Sequence, residues 1–229
     1  MQGKTSQTAN RKPKTKVFLV DDHPVLRRGL AQLINHEADM EVCGEAEDAP
    51  RAFEAIGEIE PDVVVVDVSL KGSNGIELLK NLKTRHPSLP VLVLSMHDES
   101  LYAERALRAG GLGYVMKDEA FEQVLSAIRQ VLKGEIFLSE KMKSRMLQQV
   151  AFGKGKASHS PIETLTDREL EVFRLIGQGH GTRQIAEELH LSIRTVEAYR
   201  EYIKDKLSLK NATELVQHAF HWVHHQQAA

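Results

Sequence analysis

The sequence predicts two domains: an α/β domain with a five-stranded, parallel, doubly wound sheet, and then a small all-α domain of four helices. Up to residue 134, short β-branched runs alternate with longer segments of helical period, which is typical of a parallel sheet with helices on both faces. A stretch rich in Gly and Ser (151–161) then marks a boundary, beyond which every segment has helical spacing. The 229 residues, 41% of them hydrophobic, are enough for two modest cores.

Each element has its own local signal. Short apolar runs predict strands at 17–20, 41–44, 63–66, 91–94 and 113–115. Helical periodicity predicts first-domain helices at 24–35, 49–58, 75–85, 100–109 and 120–132, and a further helix at 139–150. In the second domain it predicts helices at 166–177, 182–189, 192–207 and 212–224. Thr166 and Glu169 form a capping-box pattern, and Ser192 is a second predicted N-cap.

Charge and composition exclude several classes of protein. The net charge of -2 conceals a basic segment, since residues 1–16 carry five Lys and Arg and no acid; we interpret it as a disordered extension rather than a DNA contact. No apolar run reaches the roughly 20 residues that span a bilayer, so we expect a cytoplasmic protein with no membrane partner. The single cysteine, Cys43, excludes a disulfide framework, and we interpret it as a small core residue rather than a reactive thiol.

Polar residues follow four of the predicted strands. Asp21 and Asp22 follow the first strand, Asp67 the third and Ser95 the fourth, while Lys117 comes two residues after the fifth. Because the carboxyl ends of parallel strands share one edge, these side chains should meet in one crevice. Converging carboxylates need a cation, and oxygen ligands favour Mg²⁺. The set predicts phosphoryl-transfer chemistry with Asp67 as the nucleophile and with Asp21 and Asp22 holding the metal.

These residues also carry a family resemblance. The segment VFLVDDHPVLRRGL (17–30), with Asp67, Ser95 and the run GYVMK ending at Lys117, resembles the receiver domain of two-component response regulators over roughly 16–134. The resemblance implies a flavodoxin-like fold. It also implies a sensor histidine kinase as the phosphoryl donor.

The resemblance further implies a role for each site residue. Asp67 would be the phosphoacceptor, with Mg²⁺ bound by Asp21, Asp22 and Asp67. Lys117 would pair with the phosphoryl group and Ser95 would hydrogen-bond it. Tyr114, three residues before Lys117, matches the switch aromatic of the family, and the alternative for it is an ordinary half-buried strand tyrosine.

One position departs from the family pattern. Proline usually stands four residues after the acceptor, and this chain has Lys71 there. We interpret Lys71 as pointing to solvent, and the alternative is an added positive charge near the phosphoryl group. Because proline no longer fixes the backbone of the loop, the lifetime of phosphorylation is the property in doubt.

In the second domain, two predicted helices joined by a short turn, 182–189 and 192–207, fit a helix-turn-helix whose second helix enters the major groove. The motifs LTDRELEV (165–172) and LSIRTV (191–196), with IAEEL and IKDKL, resemble the LuxR-type DNA-binding domain of NarL/FixJ response regulators over about 162–225. The resemblance implies double-stranded DNA as a partner.

Seven residues are the predicted DNA contacts. Arg194 and Lys204 carry positive charge for phosphates, and by the resemblance Thr195 and Arg200 would touch the backbone. The residues that would face bases are Glu197, Ala198 and Glu201. Two positions depart from the family: tyrosine stands at 199, where histidine is common, and Glu201 stands where a basic or small residue is usual. Because glutamate repels phosphates while accepting from cytosine, we expect the monomer to bind weakly.

The hypothesis is a phosphorylation-activated transcription regulator, not an enzyme. Its predicted parts are a basic disordered tail (1–15), a receiver domain (16–134), a helical and flexible linker (135–161) and a LuxR-type domain (162–229). Activation by homodimerisation or by release of the DNA-binding domain stays open. One alternative is an output domain that binds protein rather than DNA; a less favoured one is an aspartyl-phosphate phosphohydrolase, for which no substrate cap is visible. A metal site at the histidines of the last helix is conceivable, but a solvated helix end is preferred.

Overall fold

The computed structural model describes residues 13–151 and 161–226. The predicted tail up to residue 12 and most of the predicted glycine-rich linker lie outside the described residues. The described parts form the α/β domain and the all-α domain that the sequence predicts. Among their helices, none combines the length and apolar character that crossing a bilayer requires.

The first domain is built on a parallel sheet. Its strands, in chain order, are β1 (Thr15–Val20), β2 (Met40–Ala46), β3 (Val63–Asp67), β4 (Ser69–Leu70), β5 (Ser73–Asn74), β6 (Val91–Ser95) and β7 (Gly113–Met116). The five-stranded sheet has the order β2-β1-β3-β6-β7, and all its neighbouring strands are parallel. The five strands predicted from apolar runs are therefore confirmed.

Helices cover both faces of this sheet. The helices are α1 (Pro24–His36), α2 (Ala49–Ile59), α3 (Gly75–Arg85), α4 (Glu99–Arg108) and α5 (Ala120–Val131). Side chains alternate along β1, so Val17 and Leu19 pack with α1 and α5, whereas Phe18 and Val20 pack with α2, α3 and α4. Burial on both faces explains why the strands are continuous apolar runs rather than alternating ones.

A short antiparallel hairpin, β4–β5, follows Asp67 directly. Its strands of two residues are too short for a periodic signal, and the sequence did not predict them. The hairpin returns the chain so that Gly75 N–H donates to Val68 O at 2.7 Å. A Cβ at Gly75 would lie 1.8 Å from Asp67 O, so only glycine lets α3 begin against the end of β3.

The segment after α5 packs on the first domain. Phe137 N–H donates to Leu112 O at 2.9 Å, and Tyr114 N–H donates to Phe137 O at 3.0 Å, which extends the edge at β7. The next helix, α6 (Glu140–Ala151), buries Met142 against the same core. The described part of the predicted linker is thus attached to the sheet rather than extended away from it.

The second domain begins with a 3₁₀ turn (Pro161–Thr164), after which come α7 (Asp167–Gly177), α8 (Thr182–Glu188), α9 (Ile193–Lys206) and α10 (Ala212–Gln226). Both predicted caps are confirmed: Thr166 and Glu169 form a reciprocal capping box, and Ser192 accepts from Thr195 N–H. Phe173, Val196 and Ile203 are fully buried between these helices.

Candidate functional site

The carboxyl edge of the sheet brings together three of the predicted residues, two aspartates and the lysine between them. Lys117 Nζ lies 2.6 Å from Asp67 Oδ2 and 2.7 Å from Asp21 Oδ2. All three side chains are buried, while Asp22 is partly exposed at the mouth of the crevice. They lie at the ends of β1, β3 and β7, which all end at one edge of the sheet, so the topology brings together residues separated by up to 96 positions in the chain, from Asp21 to Lys117.

Burial controls the electrostatics of this cluster. It raises the pKa of Asp67 well above its usual value, although the charge of Lys117 opposes this and Asp21 adds to it. Burial also opposes the charge on Lys117, but attraction to Asp67 and Asp21 outweighs it and raises the pKa of the lysine. Lys117 is therefore a cation that binds both acidic side chains.

We expect Asp67→Asn to stabilise the metal-free protein. The folded state holds the Asp67 proton more tightly than the unfolded state, so stability is lost as pH rises above the usual value of 3.8. The asparagine side chain does not ionise, so the variant does not lose this stability as pH rises. The variant should be more stable by about 1–2 kcal/mol near neutral pH, with the difference growing from pH 5 to about 8. Urea unfolding in EDTA across this range measures it, and a difference that does not change with pH contradicts the assignment.

The residues at this edge fit a divalent cation. Asp22 Oδ1 is buried and accepts no hydrogen bond within the described chain, which is unfavourable unless a cation binds it, and Asp21 Oδ2 beside it is paired with Lys117. Donor atoms of Asp21, Asp22, His23 and Asp67 all lie within 4.8 Å of one another. Carboxylate oxygens are the ligands that Mg²⁺ prefers. Sequence reasoning missed His23, for which the only signal was its place directly after two acids.

Ser95 and Tyr114 are engaged by the same short loop. Ser95 Oγ accepts from the N–H of His97 at 3.0 Å, and Tyr114 donates its hydroxyl proton to His97 O at 2.7 Å. Tyr114 is fully buried rather than half-buried. The Ser95 hydroxyl, which is predicted to bind a phosphoryl group, is therefore held by a hydrogen bond from the backbone of His97.

The second domain docks on α3 and α4 of the first. Arg105 of α4 donates to Asp167 Oδ1 at 3.0 Å and to Leu165 O at 2.9 Å. Lys80 of α3 binds the other Asp167 oxygen at 3.0 Å. These contacts bury the charged first turn of α7, so the charges that a free helix would expose to water are matched across the domain boundary.

A hydrogen-bond chain joins the site to the second domain. Ser69 lies two residues after Asp67, and its hydroxyl donates to Glu171 Oε1 at 3.2 Å. Burial lowers the pKa of His97 to about 3, so its ring is neutral, and its Nε2 lies 2.8 Å from the same hydroxyl. Arg168 donates to Glu171 Oε2 at 2.6 Å. A fully buried carboxylate of α7 thus receives bonds from both domains.

The turn between α8 and α9 faces the crevice. A cavity of about 350 Å³ is lined on one side by Asp22, His23 and Asp67 and on the other by Glu188, the last residue of α8, and the turn residues Leu189 and His190. The N-terminus of α9 follows this turn directly. In the helix-turn-helix arrangement that end of the second helix approaches base edges, so the receiver-side crevice lies next to the end of α9 that would face DNA.

The predicted DNA-contact residues lie on α9 at the surface. Arg194, Glu197 and Glu201 are exposed, and Thr195, Ala198, Arg200 and Lys204 are partly exposed. Lys204 Nζ binds the Glu201 carboxylate at 2.8 Å. This pair reduces the repulsion between Glu201 and phosphates, and it also occupies a lysine predicted to contact them.

Comparison with known proteins identifies the family. Residues 17–129 match the family described as response regulator receiver domain, and residues 163–219 match the bacterial regulatory proteins of the luxR family. This chain belongs to the two-component response regulators with a LuxR-type DNA-binding domain. The first domain is therefore the receiver domain and the second the DNA-binding domain.

Relatives match over nearly their whole length. The oxygen regulatory protein NreC of Staphylococcus carnosus (strain TM300) is 35% identical over 208 residues, which are 89% of this chain and 96% of that protein. NreC of Staphylococcus haemolyticus (strain JCSC1435) is 36% identical over 208 residues, again 89% of this chain and 96% of that protein. This assignment makes the chain a DNA-binding transcription regulator, and the alternative of a protein-binding output domain is not favoured.

Solved structures of response regulators are similar to this chain in fold and in sequence. RcsB of Salmonella enterica serovar Typhimurium, bound to promoter rprA in the presence of the phosphomimetic BeF₃⁻, is 26% identical with a TM-score of 0.58, over 90% of this chain and 98% of that one. A LuxR-family response regulator of Aurantimonas sp. SI85-9A1 is 32% identical with a TM-score of 0.56, over 61% of this chain and 99% of that one.

Proposed function

We propose that Asp67 accepts a phosphoryl group from a sensor histidine kinase, and that the phosphorylated receiver releases its DNA-binding domain to bind double-stranded DNA as a homodimer in the cytoplasm. The observation that carries the proposal is the position of Lys117 Nζ, within hydrogen-bond reach of both Asp67 and Asp21. A buried lysine between two buried carboxylates supplies the positive charge that a transferring phosphoryl group needs.

The transfer step uses the residues of the crevice. Asp67 attacks phosphorus, a new O–P bond forms, and the P–N bond of the donor phosphohistidine breaks with the imidazole as leaving group. Asp21, Asp22 and Asp67 would hold Mg²⁺, which when bound neutralises charge on the phosphoryl oxygens. Lys117 then exchanges its contact with the Asp67 carboxylate for one with the phosphoryl group, which keeps the lysine paired throughout.

Coupling to the DNA-binding domain runs through Ser95 and Ser69. A phosphoryl group on Asp67 offers an acceptor for the Ser95 hydroxyl proton, whereas Ser95 Oγ now accepts from the His97 N–H. When Ser95 turns toward it, His97 and the Tyr114 hydroxyl lose their present geometry, and with them the contact of His97 with Ser69. Glu171 would then be left with weaker partners from the receiver, which shifts the equilibrium toward an undocked domain.

Light-scattering mass and small-angle scattering of wild type and Asp67→Asn, each with Mg²⁺ and with or without beryllofluoride, test the proposal. We expect beryllofluoride to expand wild type and convert it to a dimer, while Asp67→Asn stays compact and monomeric. If wild type forms a dimer without expanding, Asp67 is still the acceptor, but the release of the DNA-binding domain is refuted. If beryllofluoride does not bind wild type at all, Asp67 is not the acceptor.

We expect Arg194→Ala to weaken DNA binding by the activated protein through the loss of one phosphate contact. The affinity should fall at low salt, and the slope of log K against log salt should decrease by about 1. Fluorescence anisotropy with a labelled duplex at several salt concentrations measures both. Arg145→Ala, an exposed substitution on α6, is the control and should change neither. An unchanged slope in Arg194→Ala would remove Arg194 from the interface.

A further inference from the structure

His23 stands within the acidic cluster of the receiver and has no role in the proposed phosphoryl transfer. It follows Asp22 and precedes α1, and its side chain is 60% exposed. Its Nδ1 lies 2.7 Å from Asp22 Oδ1, 3.3 Å from Asp21 Oδ1 and 3.9 Å from Asp67 Oδ2. Lys117 Nζ lies 3.4 Å from the same nitrogen, within hydrogen-bond distance, so an incoming ion would take over this contact. A ring nitrogen thus converges with one oxygen from each of three carboxylates.

The contact of His23 with Asp22 is not a hydrogen bond. Asp22 Oδ1 is buried without a hydrogen-bond partner although the ring nitrogen is 2.7 Å away, so the two donor atoms are close but not aligned for proton sharing. Around an octahedral ion with ligands at about 2.1 Å, adjacent donor atoms lie about 3.0 Å apart and opposite ones about 4.2 Å. The three nitrogen–oxygen distances of His23 fall within or near that span.

We propose that His23 is a fourth ligand and lets the receiver site bind a borderline transition ion, such as Ni²⁺ or Zn²⁺, more tightly than Mg²⁺. Imidazole suits these ions, whereas Mg²⁺ takes oxygen ligands and gains nothing from a ring nitrogen. The exposed ring lies at the mouth of the crevice, where an ion would enter. The order of affinities for sites with nitrogen ligands favours Ni²⁺ over the harder divalent ions.

Such an ion would compete with Mg²⁺ for the phosphorylation site. It would use the Asp67 oxygen that Mg²⁺ and the phosphoryl group share. This consequence rests on the proposed function, but binding of the ion does not and can be measured without any phosphodonor. A response regulator with His23 in this position would therefore respond to transition-metal load as well as to its kinase.

Calorimetric titration of the full chain with Ni²⁺ and with Mg²⁺ tests the proposal. Wild type should bind Ni²⁺ at least about tenfold more tightly than Mg²⁺, and His23→Asn should lose about tenfold or more of the Ni²⁺ affinity while its Mg²⁺ affinity changes less than about threefold. His23→Ala should show the same selective loss of Ni²⁺ affinity as His23→Asn. The control is His36→Asn, at the other end of α1, which should change neither affinity.

Competition with Mg²⁺ separates this site from the histidines of the last helix, because only an ion at the receiver carboxylates is displaced by it. Ni²⁺ binding that excess Mg²⁺ does not weaken would overturn the proposal. So would unchanged Ni²⁺ affinity in both His23 variants, or an equal loss for both ions, which would make His23 a support for the carboxylates rather than a ligand. Failure here with normal beryllofluoride binding leaves the proposed function intact.

Discussion

Lys117→Met should slow phosphorylation of Asp67 by about a hundredfold or more, because the positive charge that stabilises the transferring phosphoryl group is lost. The free energy of unfolding of this variant should also fall strongly. Lys117 is 2% exposed at its side chain and is the counter-ion of the buried Asp21 carboxylate, so removing it leaves uncompensated charge that costs about 3–5 kcal/mol in metal-free buffer. Mg²⁺ should recover part of that stability, since a cation can neutralise the same oxygens.

Both effects can be measured on one preparation. Phosphorylation by a small phosphodonor is followed by mass spectrometry, and urea unfolding is followed with and without Mg²⁺. Lys71→Met is the matched control, since Lys71 is exposed in the loop after Asp67. It should leave unfolding unchanged. Equal phosphorylation rates in Lys117→Met and wild type would show that the lysine only fills space at the sheet edge.

Arg105→Ala should open the protein without phosphorylation. Arg105 reaches from α4 to Asp167, Leu165 O and Ile162 O, so truncation removes three bonds across the domain boundary. Its side chain is 19% exposed, and losing one member of such a charge pair costs about 2–3 kcal/mol of docking. We expect DNA affinity of the unphosphorylated protein to rise by about tenfold or more, up to that of the fully open state.

The control for Arg105→Ala lies on the same helix. Arg108 lies near the same boundary but pairs with Glu104 within α4, and no hydrogen bond or ion pair joins it to the described part of the DNA-binding domain, so Arg108→Ala should leave DNA affinity unchanged. Anisotropy with a labelled duplex gives the affinity, and small-angle scattering gives the radius of gyration, which should increase only in Arg105→Ala. Unchanged values in both variants would mean that this interface does not restrain the DNA-binding domain.

Most of the receiver site could be predicted because strand ends carry positional information. Apolar runs buried on both faces predict a parallel sheet, and parallel strands end at one edge. That rule alone placed Asp21, Asp67 and Lys117 together, as the structure does. It could not place His23, which follows no strand directly and whose ring converges on the carboxylates only through the turn into α1.

By itself the sequence determined the two domains, the order of their helices and strands, the caps at Thr166 and Ser192, and the acids and lysine at the sheet edge, because each depends on local periodicity or on a rule of sheet topology. Only the tertiary structure decided the docking of α7 on the receiver. Arg105 and Asp167 are 62 residues apart, and Ser69 and Glu171 are 102 apart. Their pairing depends on how two separately folded surfaces match in shape and charge, for which no local pattern exists.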